Sequence, residues 1–188
     1  FEVTTGGGTD TINSVIAGSK GLVKRGAGTL ILNGDNIFTG YASVYQGTLK
    51  LGNSNTLSQC TFSGTPSGSL SFGSLASATF GGLYLSTGST LSLINEESQP
   101  VALSVGYLSG GITSYGTISG SGSLTVVGAT GIIALDLTGA KLTYTGDTKV
   151  AGGLLKLPGG LWNSTLDYDN YGGEVLFSSV SPDYALGG

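Results

Sequence analysis

The chain has no histidine and no methionine, one cysteine, one tryptophan, four prolines and only 10% charged residues among its 188. Each shortage removes a class of function. Without histidine no side chain titrates near neutrality from its ordinary pKa, and the commonest ligand of zinc and copper is missing. A lone Cys60 makes neither a thiolate cluster nor an internal disulfide. Its expected place is the interior, as a small apolar side chain, with an intermolecular bridge as the alternative for an exported chain. The net charge is −4 and the basic residues gather nowhere beyond Lys20, Lys24 and Arg25, so nucleic acid is not expected as a partner. No run of 18 apolar residues exists and no amphipathic helix can be drawn, so no membrane insertion by this chain is expected. No cofactor and no resident metal are expected.

Glycine, by contrast, supplies 35 residues. It lacks the every-third-residue period of collagen, and aliphatic pairs interrupt it too often for a flexible linker. Those pairs carry the organisation. Leu30/Leu32, Leu49/Leu51, Leu70/Phe72 and Leu91/Leu93 recur 19, 21 and 21 residues apart, a step too short for a domain and suited to one coil of a β-solenoid. One residue separates the members of each pair, so both point to one face of a strand, into the coil. Leu83/Leu85, Val101/Leu103/Val105, Leu124/Val126, Ile133/Leu135/Leu137 and Leu155/Leu157 continue the pattern between Gly, Ser, Thr and Asn turn signals. No segment joins 3.6-residue spacing to a capping residue and good helix formers, so almost no helix is expected. The expected fold is an all-β, single-stranded parallel β-helix of about nine coils, one domain over 1–188, forming a rod of ~45 Å.

A longer duplication lies above the coil period. Phe38-Thr39-Gly40, Val44, Gly47 and Leu49-Lys50-Leu51 return as Tyr144-Thr145-Gly146, Val150, Gly153 and Leu155-Lys156-Leu157, displaced by 106 residues. Upstream, Ile16, Gly18, Leu22 and Gly26 return as Ile118, Gly120, Leu124 and Gly128, displaced by 102. The four-residue difference reads as a loop inserted between strands, where a solenoid tolerates it.

The segment from Gly21 through Lys24, Gly26, Gly28-Thr29-Leu30-Ile31-Leu32, Gly34, Asn36 and Phe38-Thr39-Gly40, then Val44 and Gly47-Thr48-Leu49-Lys50-Leu51-Gly52, resembles the autotransporter-associated β-strand repeat of bacterial passenger domains. The resemblance is strong over about 32 residues and weaker over 118–157. It implies a right-handed coil, export, and an extracellular or cell-surface location. It implies no catalytic residues, because the repeat is structural in that family. Nothing in the sequence resembles the tilted ten-residue strands of a membrane barrel. The start at Phe1 and the finish at Gly187-Gly188 fit a processed or truncated product, and a cut imposed on a longer chain fits equally.

Residues 161–188 leave the leucine pattern. Trp162, Tyr168, Tyr171, Phe177 and Tyr184 crowd there, suited to a lid over the coil end or to a subunit interface. Trp162, Tyr168 and Tyr171 beside Asp167, Asp169 and Asn170 also have the makings of a glycan platform. Asp167 and Asp169 would share a strand face and could offer oxygen to calcium, with a solvated turn as the plainer reading. No enzymatic activity is expected: Arg25 is the sole arginine, and Glu96-Glu97 belong to a loop beside Asn95 and Pro100 rather than to a catalytic pair. Thr29, Thr48, Ser69 and Thr90 each precede an apolar pair, a column that ordinary strand propensity and cross-strand hydroxyl bonding explain. The expected function is that of an extracellular structural rod, either a surface-displayed passenger body or a fibre subunit self-associating end on. An adhesive or glycan-binding module is the alternative, with a polysaccharide-acting enzyme behind it.

Overall fold

Short parallel strands, about three to a coil, account for the aliphatic alternation. The computed structural model describes residues 1–129, 131–159 and 173–177, and the backbone of 166–168. Coil 1 holds β1 (Glu2–Thr4), β2 (Thr9–Ile12) and β3 (Ala17–Gly18), and coil 2 holds β4 (Leu22–Arg25), β5 (Thr29–Leu32) and β6 (Ile37–Phe38). Coil 3 runs through β7 (Tyr41–Val44), β8 (Gly47–Leu51) and the first half of β9 (Leu57–Gly64). Coil 4 takes the second half of β9, β10 (Gly68–Ser71) and the first half of β11 (Ser77–Leu85). Coil 5 takes the rest of β11, β12 (Thr90–Ser92) and β13 (Ala102–Val105); coil 6 opens on an irregular turn before β14 (Thr117–Ser119) and β15 (Ser123–Val126). Coil 7 holds β16 (Ile133–Asp136), β17 (Lys141–Leu142) and β18 (Thr148–Val150), coil 8 holds β19 (Gly153–Leu157) and β20 (Leu166–Tyr168), and β21 (Gly173–Phe177) starts a ninth. The described residues contain no helix.

Successive coils stack as three faces. The first carries β1, β4, β7, the second halves of β9 and β11, then β16, β19 and β21. The second carries β2, β5, β8 and β10, then β12, β14 and β17. The third carries β3 and β6, the first halves of β9 and β11, then β13, β15, β18 and β20. β9 and β11 pass through a corner without breaking, with a register shift where Leu57 faces Phe80 but Thr61 faces Gly82. That passage joins first-face and third-face ladders into one nine-stranded sheet.

The core is the column of inward side chains. Leu30 opposes Leu49, and Leu32 opposes Leu51; all four are buried. Leu70 follows in register, half-buried, with Phe72 fully inside. Phe72 and Phe80 stack at 6.2 Å between centroids, and Phe62 tilts against Phe80 at 5.6 Å. Leu49→Ala would leave a cavity flanked by leucines on both axial sides, and we expect it to destabilise the rod by about 2–5 kcal/mol in urea unfolding.

The two copies of the duplicated motif do not sit on the same faces. Leu49 and Leu51 lie on the second face in β8, whereas Leu155 and Leu157 lie on the first in β19; Val44 is on the first face and Val150 on the third. The displacement therefore equals four coils and two faces, which rotates the second copy back by one face. Most of the excess falls between β15 and β16, where six residues (127–132) stand against three (26–28) between β4 and β5.

Two sequence expectations need correction. The hydroxyl column is real for Thr9, Thr29, Thr48 and Ser69, which share one register, and the Thr48 and Ser69 hydroxyls lie 2.9 Å apart. Thr90 does not continue it, because the hydrogen-bonded ladder ends at β10 and β12 opens a separate one with β14 and β17, after the Ser86 to Ser89 turn, closed by Ser89 N donating to Ser86 O at 3.0 Å. Lys24, named with Lys20 and Arg25 as the one gathering of basic residues, does not join them at the surface. It occupies an inward position opposite Val44 and is fully buried.

Candidate functional surface

Polar groups inside the coil are the first feature with chemistry. Lys24 Nζ donates to Arg25 O at 2.9 Å, Gly26 O at 2.7 Å and Gln46 O at 3.1 Å, which uses all three ammonium protons. Burial pulls its pKa below the usual 10.5, with the Asp10 carboxylate pulling the other way. Asn36, also buried, accepts from Ile16 N at 2.8 Å and donates to Thr56 O at 3.3 Å, so one amide spans three coils. Asn33 Nδ2 donates to Asn13 Oδ1 at 2.7 Å one coil away. These are structural latches. The second copy has Val126 and Leu142 at the positions matching Lys24 and Asn36.

The Glu96-Glu97 loop is a strap, as its flanking Asn95 and Pro100 suggested. Ile94 and Pro100 close it with an antiparallel bridge, and Asn95 Oδ1 accepts from Glu97 N at 3.0 Å and Gln99 N at 2.8 Å. Glu96 reaches down from coil 5 to pair with Lys50 in coil 3 and to accept from Ser71 Oγ in coil 4 at 2.7 Å. The bond from Lys50, and then that from Ser71, hold the Glu96 carboxyl below its usual range. That role occupies the carboxylate in fastening coils.

Cys60 is buried, with Sγ 3.7 Å from Leu57 O, and burial pushes its pKa up to about 12. A maleimide reagent at pH 8 should leave the native chain unlabelled and modify it only on unfolding; fast native labelling would contradict this burial.

The expected aromatic site falls outside what can be described. Trp162 and Tyr171, with Asp169, Asn170 and Tyr184, lie outside the described residues. Tyr168 and Asp167 are placed in β20 by backbone alone, opposite Val150 and Lys149. No group of three or more candidate metal ligands occurs among the described residues, and no helix among them is long and apolar enough to cross a membrane.

A different surface stands out at the corner between the third and first faces. In coil 6 the first-face strand is replaced by a turn at Ser109–Ile112, where Gly110 and Gly111 take φ of +60° and +74°. The chain entering this turn leaves Tyr107 and Leu108 half-exposed, with Val127 of the next coil beside them. These three line a groove of about 310 Å³ whose opposite wall carries Ser58 and Gln59 and whose third-face side carries Thr79 and Ser104. Thr79 and Ser104 are partners across adjacent strands. Glycines shape the floor: a Cβ on Gly81 would lie 2.5 Å from Leu108 Cδ1, and one on Gly106 would lie 2.8 Å from Gly81 O. No Asp, Glu, Lys or Arg lines it. Residue counting by leucine pairs missed this corner. Its signal was the gap itself: between Val105 and Ile118 no aliphatic pair appears, and Gly106-Tyr107-Leu108 precedes Gly110-Gly111.

A parallel three-faced coil without helix defines a β-solenoid, and comparison with known proteins narrows the class. A family model, passenger-associated-transport-repeat, matches residues 22–51 and 134–157, the two copies of the duplication. The chain is 33% identical over 168 residues to the adhesin BmaC autotransporter of Brucella suis biovar 1 (strain 1330), a match covering 84% of the chain and 4% of that protein. No solved structure matches. The chain belongs among autotransporter passenger domains built from these repeats, and with them it is displayed at the cell surface or outside the cell. It spans a small fraction of the relative's length.

Proposed function

We propose that this chain is a structural segment of a surface adhesin, a rod that carries contact surfaces away from the cell and has no catalytic role. The observation that carries the proposal is similarity to an adhesin along nearly the whole solenoid, repeats and intervening coils alike. Its exterior suits the role: low charge density and hydroxyl-bearing columns leave little long-range repulsion against a surface approached closely. Displayed on a bacterial host through a supplied translocator barrel, the chain should raise adherence to epithelial monolayers or extracellular matrix, and external protease should remove the gain. Adherence no higher than that of cells displaying an unrelated solenoid would refute it.

End-on self-association remains the finer proposal. Among the described residues β1, β2 and β3 each pair on one side only, and where such a coil ends a rod its edges template pairing. Asp10, in register with Leu30, places a carboxylate on the inward column of this rim and opposes dry stacking there. Filaments with a regular axial repeat in electron micrographs of purified chain would support stacking; a strictly monomeric species by light scattering at high concentration would exclude it.

A further inference from the structure

Resting on the adhesin reading, and on a site away from Trp162, Tyr168 and Tyr171, the geometry points to the corner groove beside Tyr107 as a binding site for a neutral oligosaccharide. Three properties of the groove select that chemistry. Its lining has no charged side chain, so neither a sialylated or sulfated glycan nor an acidic or basic peptide finds a counter-charge there. Its backbone is already paired along the axis: Gly106 N donates to Phe80 O at 2.9 Å, Leu108 N to Gly81 O at 2.8 Å and Val127 N to Val105 O at 2.9 Å. A peptide therefore has no open strand edge to extend, which removes the main-chain route by which solenoids and sheets capture extended chains. What remains is a half-exposed phenol ring and two aliphatic side chains on one side, facing hydroxyls and an amide from Ser58, Gln59, Thr79 and Ser104 on the other.

An apolar wall opposite neutral donors and acceptors matches a pyranose, which has an apolar ring face and a hydroxyl-bearing edge. The polar wall is also repetitive. Thr79 and Ser104 are register partners in adjacent coils, Ser58 comes from the coil before them and Val127 from the one after, so the lining extends over four coils, ~14 Å along the axis at ~4.8 Å per coil. That favours a ligand with repeating units over a single small molecule. The floor depends on Gly81, whose missing side chain leaves room for Leu108, and on Gly106, whose missing side chain lets it lie against Gly81 O.

The test is retention on an array of neutral oligosaccharides, followed by saturation-transfer NMR with any sugar retained. The wild-type chain should bind, and Tyr107→Ala should weaken binding at least tenfold. Ser104→Arg, at an outward position, should do the same by filling the groove, while Tyr41→Ala, at an exposed tyrosine elsewhere, should leave binding unchanged. Circular dichroism and the urea midpoint establish that each variant is folded. The proposal is overturned if no neutral glycan binds the folded wild type at millimolar concentration, if binding survives both groove variants, or if charged glycans alone are retained. A folded wild type that retains no neutral glycan although cells displaying it adhere would sink this proposal and spare the adhesin reading; neutral-glycan binding by the wild type, lost in both groove variants, with no gain of adherence would do the reverse.

Discussion

Gly26→Ala is expected to destabilise the rod by more than about 3 kcal/mol, a large share of the ~5–15 kcal/mol that holds an ordinary domain folded. Gly26 adopts φ of +76°, and an added Cβ would sit 1.9 Å from Thr5 O. The left-handed backbone alone costs about 1–2 kcal/mol for an L side chain, and the clash is with main chain that a neighbouring coil holds in place. Thr5 N donates to Arg25 O at 3.0 Å, so coil 1 cannot withdraw without losing its attachment. Gly8→Ala is the control: nothing lies within 4 Å of its Cβ position, and its unfolding midpoint should match wild type within about 0.5 kcal/mol. Equal midpoints for the two variants would mean that the corner is far looser than these distances describe.

Lys24→Ala should cost about 3–5 kcal/mol, combining a cavity with the loss of a donor to three carbonyls. Lys24→Met, which keeps the volume, should cost only about 1–2 kcal/mol, because the matching position in the second copy is an aliphatic Val126 and Arg25 O keeps its bond from Thr5 N. The pH dependence separates this account from simple packing. Burial lowers the folded pKa beneath 10.5, so between the folded value and 10.5 the unfolded chain holds the proton that the folded chain has released. Stability contributed by this group therefore rises with pH across that window and is least below it. Lys24→Met should remove the rise from a series of urea midpoints taken from neutral to alkaline pH, leaving the changes due to other groups. An unaltered series would show that Lys24 does not titrate differently on folding.

The coil period, the inward leucines and the corner glycines were legible because a solenoid repeats one local rule and each strand obeys it independently. Leu30, Leu49 and Leu91 needed nothing but alternation to be placed. Lys24 and Asn36 were not legible as interior residues, since composition assigns lysine and asparagine to water; only three-dimensional closure of a coil brings Gln46 O, Ile16 N and Thr56 O to them. Their place in the repeat pattern was the available clue. The hydroxyl column holds as far as Ser69 and stops before Thr90, because spacing in sequence cannot show where one ladder ends and the next begins. The corner groove was invisible for the opposite reason: it arises where the rule lapses, and a search for matches passes over a gap. Of the aromatic stretch that attracted most attention in sequence, Phe177 is half-exposed on β21, while Trp162, Tyr171 and Tyr184 lie outside the described residues.

The rotation of the second repeat by one face has a consequence for how such a rod meets the world. Two stretches obeying the same motif look out in directions a third of a revolution apart. A partner gripping the hydroxyl strip over the first copy would find the corresponding strip turned away at the second. In a longer rod assembled from such units, equivalent residues would wind round the shaft like the stripe on a barber's pole, presenting any approaching surface with short, separated footholds rather than one continuous track.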